Sequence, residues 1–188
     1  MAIRKKTKKK KVQTKAADRS RGYWILVLNP DEWTRTHYHP QVIFDVLWEK
    51  GYWGLKGKSS SAKAIREGDV VVLYIAAPYR AFAGCAVVTQ LHKRFTTTPR
   101  RNFDSRYRPM PQDGIKFKGL ARFDTQVPIT LLLNRLRVTR MCMPRWGMAV
   151  HRAVRGISRQ DFVTIVKAAG ALNSNLSSKM KKIIRDED

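Results

Sequence analysis

The sequence predicts an α+β fold in which a curved or barrel-like sheet of mixed strands is flanked by short helices. Short apolar runs bounded by turn residues recur along the chain, as in YWILVL, VVVLYIAA and AFAGCAVVTQ. Between them lie stretches with helix start and stop signals but little length. There is no βαβ repeat and no internal period.

Taken in order, Tyr23 to Pro30 is a buried strand stopped by Asn29-Pro30. His39-Pro40 opens a helix, because proline suits the first helical position. Ile43, Val46 and Leu47 share one face of it with Phe44 beside them, and Lys50-Gly51 ends it. A shorter helix starts within Ser59–Ser61, where hydroxyls can cap orphan N–H groups. Glu67-Gly68-Asp69 turns into VVVLYIAA, and AFAGCAVVTQ returns as its antiparallel neighbour. His92 to Gly114 lacks periodicity and reads as a long loop. Ile115 to Phe123 resumes alternation, with Ile115 and Phe117 facing one way and Lys116 and Lys118 the other. Pro128 to Leu136 is expected to be helical. The last helix has Ser158 as cap, Asp161 at its third position and Ile157 stapled against Phe162. Phe162, Ile165, Val166 and Ala169 form its apolar face, and Gly170 is expected to close it. This divides the chain into a basic arm (1–21), one domain (22–172) and a polar tail (173–188).

The net charge of +24 on 188 residues narrows the function classes. Residues 1–21 hold ten Lys/Arg against one acid, yet the domain itself is left at +14. A body this basic repels itself, and its natural counterpart is a polyanion, nucleic acid first. A membrane partner is disfavoured, since no long apolar run or strongly amphipathic basic helix accompanies the charge. Cys85 and Cys142 lack CxxC spacing and point to a reducing compartment rather than a zinc site or a disulfide framework. No signal-peptide pattern or membrane span is evident, so a cytoplasmic location is expected.

The charge directs attention to the candidate binding residues. Lys5, Lys6, Lys8, Lys9, Lys10 and Lys11 form a like-charge block, suited to an arm that tracks phosphates by counterion release. Arg100, Arg101, Arg106 and Arg108 of the long loop, with Lys116 and Lys118, are further phosphate contacts. In GYWGLKGKSSS, Tyr52 and Trp53 stand between glycines ahead of Lys56, Lys58 and Ser59. They suit either a core corner or a base-stacking wall beside a phosphate site. MCMPRWGM places Arg145 next to Trp146, suited equally to stacking on a base and to a satellite Met/Trp core cluster. His37-Tyr38-His39 lacks a third ligand and reads as a helix-entry turn rather than a metal site. No nucleophile–base pair, paired acids, P-loop or dinucleotide fingerprint is visible, so neither catalysis nor a cofactor is expected.

A family resemblance adds to this. Tyr23-Trp24-Ile25-Leu26, then Trp53-Gly54, then Arg66-Glu67-Gly68-Asp69-Val70, then Phe82-Ala83-Gly84, in this order and spacing, resembles the EVE domain. That domain belongs to the PUA-like group and is related to the YTH readers. Arg152, Ser158 and the helix through Gly170 resemble its closing segment, so the likeness spans about 22–172. It implies a pseudo-barrel with a pocket for a flipped-out, often modified base, walled by the tryptophan matching Trp53, with Arg152 a basic position near it. The chain departs from the pattern in carrying Lys56-Gly57-Lys58 and three serines where an Asn- and Arg-containing stretch is usual. It also lacks the tryptophan that YTH readers carry in the long loop, where Phe103 and Tyr107 are the aromatics present.

The expectation is a non-catalytic RNA-binding module belonging to a ribonucleoprotein such as the ribosome, with structured RNA, ribosomal RNA included, and ribosomal proteins as partners. A free reader of modified bases in DNA or RNA is the alternative, and an accessory domain of a nucleic-acid-modifying enzyme the second.

Overall fold

The computed structural model of the protein describes residues 21–29, 39–55, 60–92 and 113–185. Among the described residues six strands form one sheet: β1 (Tyr23–Leu28), β2 (Tyr52–Leu55), β3 (Val70–Ile75), β4 (Ala81–His92), β5 (Asp113–Pro128) and β6 (Val154–Ile157), in the spatial order β2-β5-β4-β3-β1-β6. β1 and β3 run parallel and every other pairing is antiparallel. The α-helices are α1 (Pro40–Lys50), α2 (Ser60–Ala64), α3 (Arg137–Arg140), α4 (Arg159–Leu172) and α5 (Ser177–Arg185). The architecture is a curled, mixed half-barrel flanked by short helices, as expected.

Alternation in the central strands divides the interior into two cores. Val70, Val72 and Tyr74 of β3 join Ile25 and Val27 on one face, packed against Phe162, Ile165, Val166 and Ala169 of α4. Val71, Leu73 and Ile75 join Leu26 and Leu28 on the other, under Ile43, Phe44 and Leu47 of α1. The curl comes from the long β4–β5 pair, whose register shifts between Phe82 and Gly84, Cys85 and Ala86, and Val88 and Gln90. Each irregularity bends the strands. The shift at Cys85/Ala86 places an unmatched Leu120 in β5, which reverses the facing of the residues beyond it. Ile115 and Phe117 therefore enter the α1 core, while Ala121 and Phe123 enter the α4 core.

Local signals hold the corners. Pro40 stands in the first turn of α1, and Gly51 closes the helix at φ +60°, a left-handed conformation that glycine adopts without a Cβ penalty. The buried Asp69 carboxylate accepts from the N–H groups of Gly22 (2.9 Å) and Arg66 (2.9 Å) and from the indole N–H of Trp24 (2.8 Å). It thereby ties the start of β1 to the start of β3. On α4, the Ser158 hydroxyl accepts from the Asp161 N–H, as the sequence signalled. No disulfide joins Cys85 and Cys142.

Three expectations are corrected. Pro128 to Leu136 is a single 3-10 turn (Ile129–Leu132) with further turns after it, and the short α-helix begins only at Arg137. α4 does not stop at Gly170 but continues to Leu172. A Cβ at Gly170 would lie 3.3 Å from the Met180 Cβ, so the glycine admits a neighbouring helix instead of ending its own. That neighbour is α5, in the stretch expected to be a polar tail. Met180 and Ile183 are buried in the α4 core, with Leu176 and Ile184 packed beside them. Their helical spacing gives α5 an apolar stripe beneath its lysines.

Candidate nucleic-acid interface

The parallel pair determines where an opening can form. β1 and β3 end side by side at Leu28 and Ile75. Beyond them the chain diverges, since β3 turns through residues 77–80 into β4 while β1 leads toward α1. In open α/β sheets the crevice outside the carboxyl ends of parallel strands is the usual ligand site, and this sheet has one such pair of ends. Here the crevice is a groove of about 360 Å³. Val27 and Asn29 line it from β1, Tyr74, Ala76, Ala77 and Arg80 from β3 and its turn, and Trp146, Gly147, Val150 and His151 from the 3-10 turn Trp146–Val150.

Each wall is positioned by packing. Tyr74 is 1% exposed, with its ring centroid 5.2 Å from that of Phe82. Burial pushes its phenol up to about 12, partly opposed by the positive charge of Arg80, so the hydroxyl is neutral at physiological pH and can donate as well as accept. Arg80 holds φ at +50°, a region that non-glycine residues seldom occupy. Its N–H donates to the Ala76 carbonyl (3.1 Å) and its own carbonyl accepts from the Ile129 N–H (2.9 Å), which fixes the turn. Trp146 is half-buried against the α4 core. A Cβ at Gly147 would meet nothing within 4 Å, so the groove is open at that point.

The segment carrying Trp146 is itself well anchored. The buried Asp161 carboxylate accepts from the N–H groups of Arg137 (2.7 Å) and Val138 (3.3 Å), capping the start of α3. The Thr139 hydroxyl donates toward the carbonyls of Leu133 (2.6 Å) and Leu136 (2.9 Å). From Ile129 to Arg185 the chain carries twelve Lys/Arg and a single acid, this Asp161. The solvent side of that region is therefore uniformly basic. The described acids elsewhere include Asp45 and Glu49 on α1, where Asp45 pairs with Arg122 at 2.7 Å.

The structure sorts the sequence-derived residues into four groups. Trp146 lines the groove, and the exposed Arg145 and Arg152 flank the turn that carries it. Lys116 and Lys118 are exposed as expected, but they lie toward the far end of the β4–β5 pair, whose other end, at Ala81, adjoins the groove turn. Lys5, Lys6, Lys8, Lys9, Lys10, Lys11, Lys56, Lys58, Ser59, Arg100, Arg101, Arg106 and Arg108 lie outside the residues whose side chains are described.

Trp53 and Tyr52 are a correction. Trp53 is 1% exposed and Tyr52 4%, and both belong to the α1 core. All four residues of β2 are buried, because β5 pairs along it while α1 closes the same core. Trp53 and Trp146 thus lie on opposite faces of the sheet, and the indole that meets an opening is Trp146. Asn29, Tyr74, Arg80 and His151 were missed. The signal available for them, a tyrosine and an Asn-Pro stop at the ends of two apolar runs, gains meaning only once β1 and β3 are known to be parallel.

Among the described residues no group of three or more His, Cys, Asp or Glu is placed to hold a metal ion. Among the described residues no carboxylate or thiol lines the groove. The groove combines an indole beside apolar walls, an amide and a phenol able to form hydrogen bonds, and the side chains of Arg80 and His151.

No family model matches the sequence, and no curated protein matches it. Solved structures do. Rpa0253 from Rhodopseudomonas palustris has a TM-score of 0.53 at 16% identity, over 81% of this chain and 95% of that one. Human THYN1, solved in complex with 5-methylcytosine containing DNA, has a TM-score of 0.52 at 11% identity, over 79% and 97%. ASCH from Zymomonas mobilis has a TM-score of 0.51 at 11% identity, over 77% and 94%. The likeness extends over nearly the whole of each of these proteins, and this chain shares their fold, a PUA-like pseudo-barrel.

Proposed function

We propose that the protein is a non-catalytic nucleic-acid-binding module that seats one unstacked nucleotide in the Trp146 groove. The observation that carries this is the coincidence of an indole-lined crevice with a surrounding surface free of exposed acid from Ile129 to Arg185. A volume of about 360 Å³ falls at the low end of small-ligand sites, roughly 300–1,000 Å³, as one base requires. The base stacks on Trp146, Asn29 meets its polar edge, and Arg145 and Arg152 neutralise adjoining phosphates. THYN1, which shares the fold, was solved with DNA, and this supports the ligand class.

RNA within a stable ribonucleoprotein, the ribosome included, is the principal form of the proposal. The support is the net charge of +24 and the lysine block near the N-terminus, more cation than one nucleotide demands. A free reader of a modified base is the second reading, favoured by the 5-methylcytosine in the THYN1 complex. Recovery of the tagged protein from its native host at low salt, with sedimentation and then sequencing of bound nucleic acid, separates the two. Co-sedimentation with large RNA particles, released by nuclease or high salt, supports the first. Light fractions enriched in one modified base support the second. Acidic proteins without nucleic acid would overturn both.

A further inference from the structure

We infer that the segment Arg137–Arg152 is a platform for the nucleotides flanking the one in the groove, and that the ligand is therefore single-stranded. This rests on the nucleotide reading of the Trp146 groove. Met141, Met143 and Met148 are 70%, 49% and 62% exposed, within eight residues of one another and on either side of Trp146. Methionine is ordinarily among the more buried residues, and a cluster standing out from an ordered segment marks a binding surface. The segment is ordered: the N–H groups of Met141, Cys142, Met143 and Met148 donate to the carbonyls of Arg137, Thr139, Arg140 and Arg145 at 2.9–3.3 Å. Asp161 and Thr139 anchor it from within, so the methionines are held outward rather than left on a loose end.

The exposed cations Arg137, Arg140, Arg145 and Arg152 are interspersed with these thioethers. A surface that mixes apolar and cationic groups at this spacing fits a strand presenting base faces and phosphates together. A duplex shows it only phosphates and groove edges, leaving the methionines against hydrated backbone. Unbranched, polarisable methionine also adapts to any base, which gives a contact tolerant of sequence.

Fluorescence anisotropy at low salt tests this, with labelled oligonucleotides from a mononucleotide to an octanucleotide and the same octamer annealed to its complement. Affinity should climb steeply from one to roughly four nucleotides and favour the single strand over the duplex by about tenfold or more. Replacing the methionines together (Met141→Ser, Met143→Ser, Met148→Ser) should weaken single-strand binding by about tenfold with the salt slope unchanged. The corresponding leucine replacements should preserve binding. Arg145→Gln and Arg152→Gln should each lower the slope by about 0.7. Equal affinity for single strand and duplex, or binding untouched by the serine changes, overturns the platform while leaving the groove standing. Binding of neither form by the full-length protein overturns the groove reading on which the platform depends.

Discussion

Two tryptophans separate stability from binding at the scale of single residues. Trp53 fills the α1 core, and Trp53→Ala should destabilise the fold by about 3–5 kcal/mol in denaturant titrations. Trp146 is only half-buried and meets the groove. Trp146→Ala should weaken oligonucleotide binding by about 1–3 kcal/mol, with a smaller loss of stability than Trp53→Ala. Tyr74 adds a pH dependence. Its folded pKa is pushed up to about 12 from 10.0, so above pH 10 the unfolded chain releases a proton that the folded one retains. The stabilisation is complete below pH 10 and is lost as the pH rises toward 12. Chemical denaturation across this range should show a steeper loss for the wild type than for Tyr74→Phe. Aromatics between glycines did not disclose in sequence which side of a sheet they would face, and the Trp53 expectation failed for that reason.

Signals confined to a few neighbouring residues were legible at the scale of elements. Pro40 and Gly51 bounded α1, and Ser158 capped α4, because proline φ, left-handed glycine and hydroxyl caps act within one turn. What depended on distant partners was not legible. Gly170 looked like a terminator, yet it lies against Met180, and α5 looked polar because its apolar stripe is only Met180, Ile183 and Ile184, with Leu176 just before it. Met180→Ala should cost about 2–5 kcal/mol in a denaturant melt, a loss that a dangling tail would not show. The facing of β5 likewise turns on one unmatched residue, Leu120, which the alternation in sequence does not reveal.

At the scale of the molecule, the fold class was readable from the order of strands and helices, but the groove was not. The groove depends on β1 and β3 lying parallel across an intervening helix, strand and helix, and no local pattern encodes that pairing. The chain after Ile129, which supplies α3, α4 and α5, exposes cations and no acid until past Arg185. Binding should therefore weaken linearly in log salt, with a slope of about −2 or steeper for a single strand held by three or more phosphate contacts. The most direct test of the central claim is ultraviolet crosslinking of the full-length protein to a short RNA, with the crosslinked peptides read by mass spectrometry. Crosslinks in the peptides carrying Tyr74–Arg80 and Arg145–Arg152 are predicted. Crosslinks confined to the face that carries Lys116 and Lys118, with none near Trp146, would contradict it.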